Sequence, residues 1–552
     1  MPTLARPVRI GRYVSALSSI AFALVAACSG PGDNTDAGPQ GDAGPQPTYT
    51  AGSCTTAGEA PIRDGAGHVT CTAVGASTAT AAGDWGDLTA ATAPIVYVRP
   101  GATGGDGSMA MPFGDIDSAL AAMPAAATIA VGRGTLNLAH PVHFNGRVDI
   151  IGAGPAGGSL LSCPAGAQAV EMAGPGAIVT LKGFAIEYTG AAVAGDTSAA
   201  IEITGGATGT ISNVSVSGAH DGVRVMGSIM HADHVTVRSG QRHGILVTMS
   251  SNATMDYVWV SDTSFAVAGD GVGIAVAQSH LDIQHALIAN NARDGLVFNT
   301  GIAGMVNHVS GVVSMGNGVT AMRAEGMDCS VEASLVSLSN TTIPAGTSGG
   351  DGLFVGSGAQ VSVDPGMGTM AMRGLGSEIV GNARSGVLAS GHLTGLQLRA
   401  ALIGSNQGPG LYMQDAAGAQ AVEFTDIGAN GILGVGVTSG AQAVEMTGNS
   451  VHHTVMGTLM TSVGMITLGD GLSMSEGTAT ATVTGNEFSG NARFGAVFSG
   501  ADATLSGNTG VGNLYGIGAY AATVTADASN AIGGTMVAPT AAPATARGTV
   551  AF

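Results

Sequence analysis

Asn291-Ala-Arg-Asp-Gly295-Leu-Val-Phe298, Asn382-Ala-Arg-Ser-Gly386-Val-Leu388 and Asn491-Ala-Arg-Phe-Gly495-Ala-Val-Phe498 are three copies of one pattern, spread over 208 positions of a 552-residue chain. In each, an asparagine precedes a turn, a glycine and a short apolar strand. Looser copies place the glycine at 222, 244, 271, 318, 352, 410, 431, 471 and 516. Successive glycines are 21 to 27 residues apart, except for steps of 34, 34 and 40. A near-constant period of this size marks a repeat architecture, and the long steps mark insertions inside single repeats. Between the glycines lie alternating triplets such as Val214-Ser-Val216, Val235-Thr-Val237 and Val258-Trp-Val260, and GAQAVE recurs at 166–171, 418–423 and 440–445. No apolar period of 3.6 residues intervenes.

Strands of three to five residues, three turns per repeat and a period near 22–24 predict an all-β solenoid, a parallel β-helix with one coil per repeat. Each coil pairs its backbone with the coils above and below, about 4.8 Å away, so like residues stack in columns. Inward columns become ladders of Val, Ile and Leu. The repeat glycines are expected to take positive-φ turn conformations. Asn291, Asn382, Asn406 and Asn491, each four residues before its glycine, are expected to stack their amides along a turn. Roughly 400 residues give about 17 coils and a rod near 80 Å long.

Composition agrees. Glycine supplies 90 of 552 residues, about 16% against roughly 7% in an average protein. Charged residues are 10% and aromatics 4%, yet the apolar fraction is 45%, too high for wholesale disorder. The net charge is −19 and Lys182 is the only lysine. A nucleic-acid binder needs a basic stripe to displace counterions, so nucleic acid is excluded as a partner.

The N-terminus reads as an address. Arg6, Arg9 and Arg12 precede an apolar run from Val14 to Ala27, too short to span a membrane. Val25-Ala-Ala-Cys28 resembles a bacterial lipobox, which implies cleavage of residues 1–27 and lipidation of Cys28. Ser29 at the next position implies, by the same resemblance, the outer membrane. Cleavage leaves 15 basic and 37 acidic residues, a balance of −22. Residues 28–53, with DAGPQ twice in succession, have no apolar cluster and read as a flexible tether. Residues 54–93 form a small segment in which Cys54 and Cys71 are the expected disulfide, with a zinc site as the rival reading. Cys163 and Cys329 read as buried small hydrophobes.

The segment Ile95-Val-Tyr-Val-Arg-Pro-Gly, the run Pro112-Phe-Gly-Asp-Ile-Asp-Ser-Ala-Leu-Ala-Ala-Met123 and Thr128-Ile-Ala-Val131 resemble the first coil of right-handed parallel β-helix proteins of the pectate-lyase-like superfamily. The resemblance covers residues 94–535, leaving 536–552 as a tail or cap. It implies a right-handed coil and a short capping helix, for which Asp115 or Asp117 is the N-cap and Ile116, Ala119, Leu120 and Met123 the apolar face. It leaves activity open, because the superfamily holds lyases, hydrolases, epimerases and non-catalytic surface proteins.

Two columns are candidate sites. The residue before each repeat glycine includes Asp221, His243, Asp270 and Asp294, then Asp351 and Asp470. Stacked carboxylates about 5 Å apart would suit glycoside chemistry or Ca²⁺, with Arg224, Arg242 and Arg293 to hold an acidic sugar and His220 or His243 to move protons. The plainer reading is that Asp-Gly is a favoured turn dipeptide. His231 and His234 lack the helical spacing of a metalloprotease, and no metal is assigned to them. The second column, two residues after the glycine, comprises Leu246, Val297, Phe354, Leu388, Tyr412, Leu433 and Val497. If exposed, it is an apolar surface for a glycan or a surface protein; the alternative is cover by the long insertions. The functional expectation is a lipid-anchored rod that binds polysaccharide, adheres or builds the envelope, against a lyase, hydrolase or epimerase using the Asp column. Cys28→Ser is expected to release the chain from washed membranes into the soluble fraction; an unchanged membrane association would overturn the lipobox reading.

Overall fold

The computed structural model describes residues 46–537, apart from 80–82, 124–126, 191–195, 265–269, 345–347, 366–372, 439–442, 462–463, 476–479 and 534. The signal segment, Cys28 and most of the tether lie outside the described residues, as does the tail beyond 537. The chain forms a right-handed parallel β-helix. One strand of each coil enters a parallel sheet of 16 strands, running from Val142–Phe144 to Thr535–Val537. The remaining strands stack into the other two walls of the solenoid.

Register is kept coil after coil. Ile201, Val223, Ile245, Ile274, Leu296, Met322, Leu353, Val387 and Leu411 are successive Cα partners, and all are buried. With two other inward ladders they form one continuous apolar core. Chain direction changes at single left-handed residues, many of them not glycine. One bend column runs through Asn213, His234, Tyr257 and His285, with φ of 51°, 53°, 50° and 44°. A second holds Asp262, Asn290, Asn340, Ser405 and Ala429, and a third Met249, Gln278 and Thr300. One αL residue re-aims the strand in a single step, and asparagine tolerates that region better than most.

The repeat glycines serve a different purpose from the one expected. Gly222, Gly244, Gly295, Gly386 and Gly410 are not among the positive-φ glycines. Each lies instead where neighbouring coils approach most closely. A Cβ on Gly386 would lie 2.6 Å from the Gly410 carbonyl oxygen and 2.6 Å from Asn406 Nδ2. On Gly410 it would lie 2.8 Å from the Gly434 oxygen and 2.6 Å from Asn430 Nδ2. Three glycines assigned from the sequence are off the column. The register puts Gly273 in place of Gly271, Ala321 in place of Gly318 and Gly434 in place of Gly431. In each coil a local turn dipeptide precedes the true position by two or three residues.

The asparagine ladder forms behind these glycines. Asn382 Nδ2 donates to Asn406 Oδ1 and Asn406 Nδ2 to Asn430 Oδ1, both at 2.9 Å. Asn491 donates to Asn513 in the same way at 3.1 Å. A second ladder, at another turn, links Asn449, Asn486, Asn508 and Asn530 at 2.8, 3.1 and 2.8 Å. Asparagine fits because its amide donates to one coil and accepts from the other, satisfying buried polar groups at each level.

The helix spans Ile116–Ala122, with the Asp115 carboxylate capping Ser118 N at 2.7 Å. Ile116 and Ala119 are buried in the solenoid core, with Leu120 and Met123 packed against it. The segment before the first coil is a strap along the outside of the rod. It meets Ser405 through the Tyr49 N–H at 3.0 Å and returns through Ala76 N, which donates to Thr236 Oγ1 at 2.8 Å. Within it, Glu59–Arg63 and Val69–Ala73 form an antiparallel pair, and a disulfide joins Cys54 to Cys71. Arg63 Nε lies 3.0 Å from the buried Glu378 carboxylate, an ion pair that fixes the strap to the solenoid. Cys163 and Cys329 are unpaired and buried, and burial pushes both thiols up to about 12.

Gly410→Ala is expected to destabilise the rod by about 1–3 kcal/mol, because the added methyl meets a carbonyl that cannot retreat without breaking register. Gly146→Ala, where a Cβ meets nothing within 4 Å, is the control and leaves the urea midpoint within error.

Candidate functional site

The column before the repeat glycines reads Ala199, Asp221, His243, Val272 in successive coils. It continues through Asp294, Thr320 and Asp351, and Leu433 there faces Asp470. Three sequence expectations change accordingly. Asp270 is not in the column, since two extra turn residues leave Val272 in its place. No two carboxylates of the column occupy consecutive coils. Leu433 belongs to this column rather than to the apolar one.

Each column carboxylate is buried against an arginine. Arg224 donates to Asp221 Oδ2 through Nε at 3.1 Å and Nη2 at 2.5 Å. Arg293 Nε lies 3.1 Å from Asp294 Oδ2, and Arg323 Nη2 donates to Asp294 Oδ1 at 3.3 Å. Arg384 donates to both oxygens of Asp351, with Nε at 2.8 Å. Arg493 does the same to Asp470, at 2.7 and 2.5 Å. Asp351 and Asp470 also accept the backbone N–H of Ser385 and Phe494 in the next coil. Asp270 faces Arg242 Nε at 3.7 Å. The arrangement is a charged clamp between coils. Burial raises the Asp470 carboxyl even though Arg493 pulls it the other way. A Ca²⁺ cage of clustered carboxylates does not form in the column, because an arginine stands where the ion would.

Arg384 and Arg493 went unremarked in the sequence reading, although the signal was present. Both are the arginine of the Asn-Ala-Arg pattern, two residues beyond a ladder asparagine, and each reaches the aspartate of the preceding coil.

Around Asp221 the structure gathers a group of titratable side chains on the 16-stranded sheet. Asp221 Oδ1 lies 3.0 Å from His243 Nδ1, which pins one ring nitrogen and leaves Nε2 available. Burial pushes the Asp221 carboxyl up, but the hydrogen bonds and charges of His243 and Arg224 outweigh it and hold the carboxyl below its usual range. His220 Nδ1 is 4.0 Å from the same oxygen. On the outer face Glu202 pairs with Arg224 across the ladder, 3.9 Å apart, and accepts from Gln168 Nε2 at 3.0 Å. Burial, helped by Glu171 and Asp221 and opposed by Arg224, raises the Glu202 carboxyl. His231 is exposed on a different wall, and His234 stacks on Tyr257, which stacks on His285, at centroid separations of 4.7 and 4.9 Å.

The apolar column is only partly a surface. Leu246, Val297 and Phe354 are half-buried on the outer face of the long sheet. Leu388, Tyr412 and Leu433 are buried, covered by Ile466 and Leu468 of an antiparallel hairpin, Gly457–Thr461 with Gly464–Leu468. That hairpin is the insertion behind the 40-residue step. Val497 is buried with Phe494 and Tyr520. The expected stripe therefore ends at Phe354, because its second half is the floor under the insertion.

The profile of the family described as right handed beta helix region matches residues 169–343. No curated protein sequence matches the chain. Among solved structures, the chain is similar to the A-module of an Azotobacter vinelandii mannuronan C-5 epimerase, at 15% identity and a TM-score of 0.37. That alignment covers 72% of this chain and 91% of the other. It is also similar to a pectate lyase, at 13% identity, TM-score 0.30 and coverages of 70% and 75%. A third is the catalytic domain of a GH87 α-1,3-glucanase, at 13% identity, TM-score 0.28 and coverages of 81% and 71%. Likeness at this level carries nothing about activity or substrate.

Arg384→Met is expected to destabilise the chain by about 3–5 kcal/mol, since it leaves Asp351 charged, buried and unpaired. Asp351→Asn with Arg384→Met recovers most of the loss; a double variant as unstable as the single one would show that the pair acts by packing rather than by charge.

Proposed function

We propose that this chain is a lipid-anchored rod of the outer membrane that binds extended polysaccharide along the open part of its long sheet without turning it over. The observation that carries this reading is the fate of the acids: every aspartate in the column is held by arginine inside the coil stack. What the open face presents instead is a row at coil spacing, Glu202, Arg224, Leu246, Ala275, Val297, Arg323 and Phe354. Charged forks stand at one end and near the other of an apolar run along it, a mixture that suits the hydroxyl edges and apolar faces of sugars. The Arg323 guanidinium lies 5.0 Å from the Phe354 ring centroid, which keeps that ring presented beside a charge. The anchor at Cys28 and the tether that precedes the docked Tyr49 would hold the rod at the surface.

Turnover is the second reading, favoured by one observation. Asp221 below its usual range orients His243, while Glu202 nearby is raised, and two carboxyls pushed apart are how acid and base roles are assigned.

The purified chain is expected to be retained on immobilised acidic or neutral polysaccharide, with no unsaturated product or new reducing ends, with or without Ca²⁺. Leu246→Ser combined with Val297→Ser should weaken retention about tenfold, the equivalent of about 1.4 kcal/mol of lost apolar contact. Product formation abolished by both Glu202→Gln and His243→Ala would establish the second reading instead. Neither retention nor turnover on any polysaccharide would leave a purely structural envelope role.

A further inference from the structure

On a different wall of the solenoid, away from the long sheet, His280, Asp282 and His308 converge. The strand His280–Ala289 places His280 and Asp282 two residues apart, hence on one face. In the next coil His308 is the direct partner of Asp282, and Glu332 in the coil after is the partner of His308. One ligand atom from each of His280, Asp282 and His308 lies within 4.8 Å of the others. The two imidazoles stand nearly perpendicular, with centroids 6.3 Å apart.

Three features point to a cation among them. His280 Nδ1 lies 3.2 Å from Asn252 Oδ1, an acceptor, so that nitrogen carries the proton and the lone pair of Nε2 is left free. That Nε2 faces Asp282 Oδ1 at 3.5 Å. Asp282 Oδ1 is itself out of contact with solvent and has no hydrogen-bond partner among the described residues. Two electron-rich atoms thus face each other with nothing donated between them, an arrangement that repels unless positive charge lies there. On the far side His308 Nδ1 is 3.3 Å from Glu332 Oε2, the imidazole–carboxylate contact that orients and strengthens a metal-binding histidine.

We infer that His280, Asp282 and His308 bind a borderline divalent transition metal such as Zn²⁺, with Glu332 and Asn252 positioning the two histidines. Two imidazoles and one carboxylate select such a metal over Ca²⁺, which prefers an all-oxygen shell. His308 is half-exposed, so water completes the coordination from the solvent side. The bound ion joins consecutive coils by their side chains, in addition to the backbone ladder. The other such group among the described residues, Cys54, Glu59 and Cys71, is ruled out because its two sulfurs are bonded to each other.

The test is calorimetric titration of the EDTA-stripped, desalted chain with Zn²⁺, without reductant, followed by Co²⁺ substitution read by its visible d–d bands. One ion per chain is expected, and His280→Ala and His308→Ala each weaken it by at least tenfold. Glu332→Gln should weaken it about tenfold while keeping the Co²⁺ spectrum, as a positioning residue would. The metal-free variants should melt with the metal-free parent, so that loss of binding is separated from loss of fold. Zn²⁺ should raise the melting temperature of the parent and leave the His280→Ala, His308→Ala double variant unchanged. Stoichiometric binding that survives this double variant, no binding at all, or displacement of Zn²⁺ by equimolar Ca²⁺ would each overturn the inference.

Discussion

The closest approach between coils governs this molecule. At five entries to the long sheet, the carbonyl of the next coil lies where a Cβ would be, at 2.6 to 2.9 Å from its ideal position on Gly244, Gly273, Gly386, Gly410 and Gly495. At those coils a residue without a side chain lets the stack close, although the alanines Ala200 and Ala321 take the same place in two others. At Gly273, Gly386, Gly410 and Gly495 the space so gained is occupied by the Nδ2 of a ladder asparagine, which satisfies carbonyls on the inside of the turn. Glycine and asparagine therefore act as one device: the first permits the approach, and the second supplies the polar partners that the approach buries.

The Asp–Arg clamps occupy the same corner of the coil. An aspartate one residue before the glycine points inward enough to be buried, and the arginine that neutralises it comes in most cases from the following coil. Such pairs are weak evidence for stability, because desolvation offsets much of the attraction, yet breaking one leaves an uncompensated buried charge. That asymmetry favours register: a coil slipped by one residue would separate the pairs that cross between coils, those of Asp294 with Arg323, Asp351 with Arg384 and Asp470 with Arg493. The aspartate column thereby takes part in the stacking of the coils, and the Asp221–His243–Glu202 group lies at its edge.

The walls of the solenoid carry different covers. The long sheet is open over its first half and roofed by a hairpin over part of its second. The wall holding Trp259, Leu287 and Val313 lies under the N-terminal strap, where Ala60 and Val74 complete a small apolar cluster. The bend beside that wall carries the aromatic stack of His234, Tyr257 and His285, with Tyr257 against the same cluster, and the next wall carries the His280–Asp282–His308 group. A single short repeat thus gives the rod walls that differ in what they expose and in what covers them.

Much of this was legible in the residues. The period of the glycine motif dictated a solenoid, the alternating Val triplets dictated inward ladders, and Asn382 and Asn406 announced an amide ladder, because each depends only on what repeats at coil spacing. The short capping helix and its Asp115 cap were equally local. What could not be read was the frame within each coil. Two extra turn residues before Val272, or three before Leu433, shift a column without disturbing the period, and so Asp270 seemed a neighbour of His243 when it is not. The clamp by Arg384, the burial of Tyr412 under Leu468, and the meeting of His280 and Asp282 with a histidine 26 residues onward are decided by registration between coils and by where insertions fold back. Periodicity determines that coils stack; only the stacked backbone determines which side chains then touch.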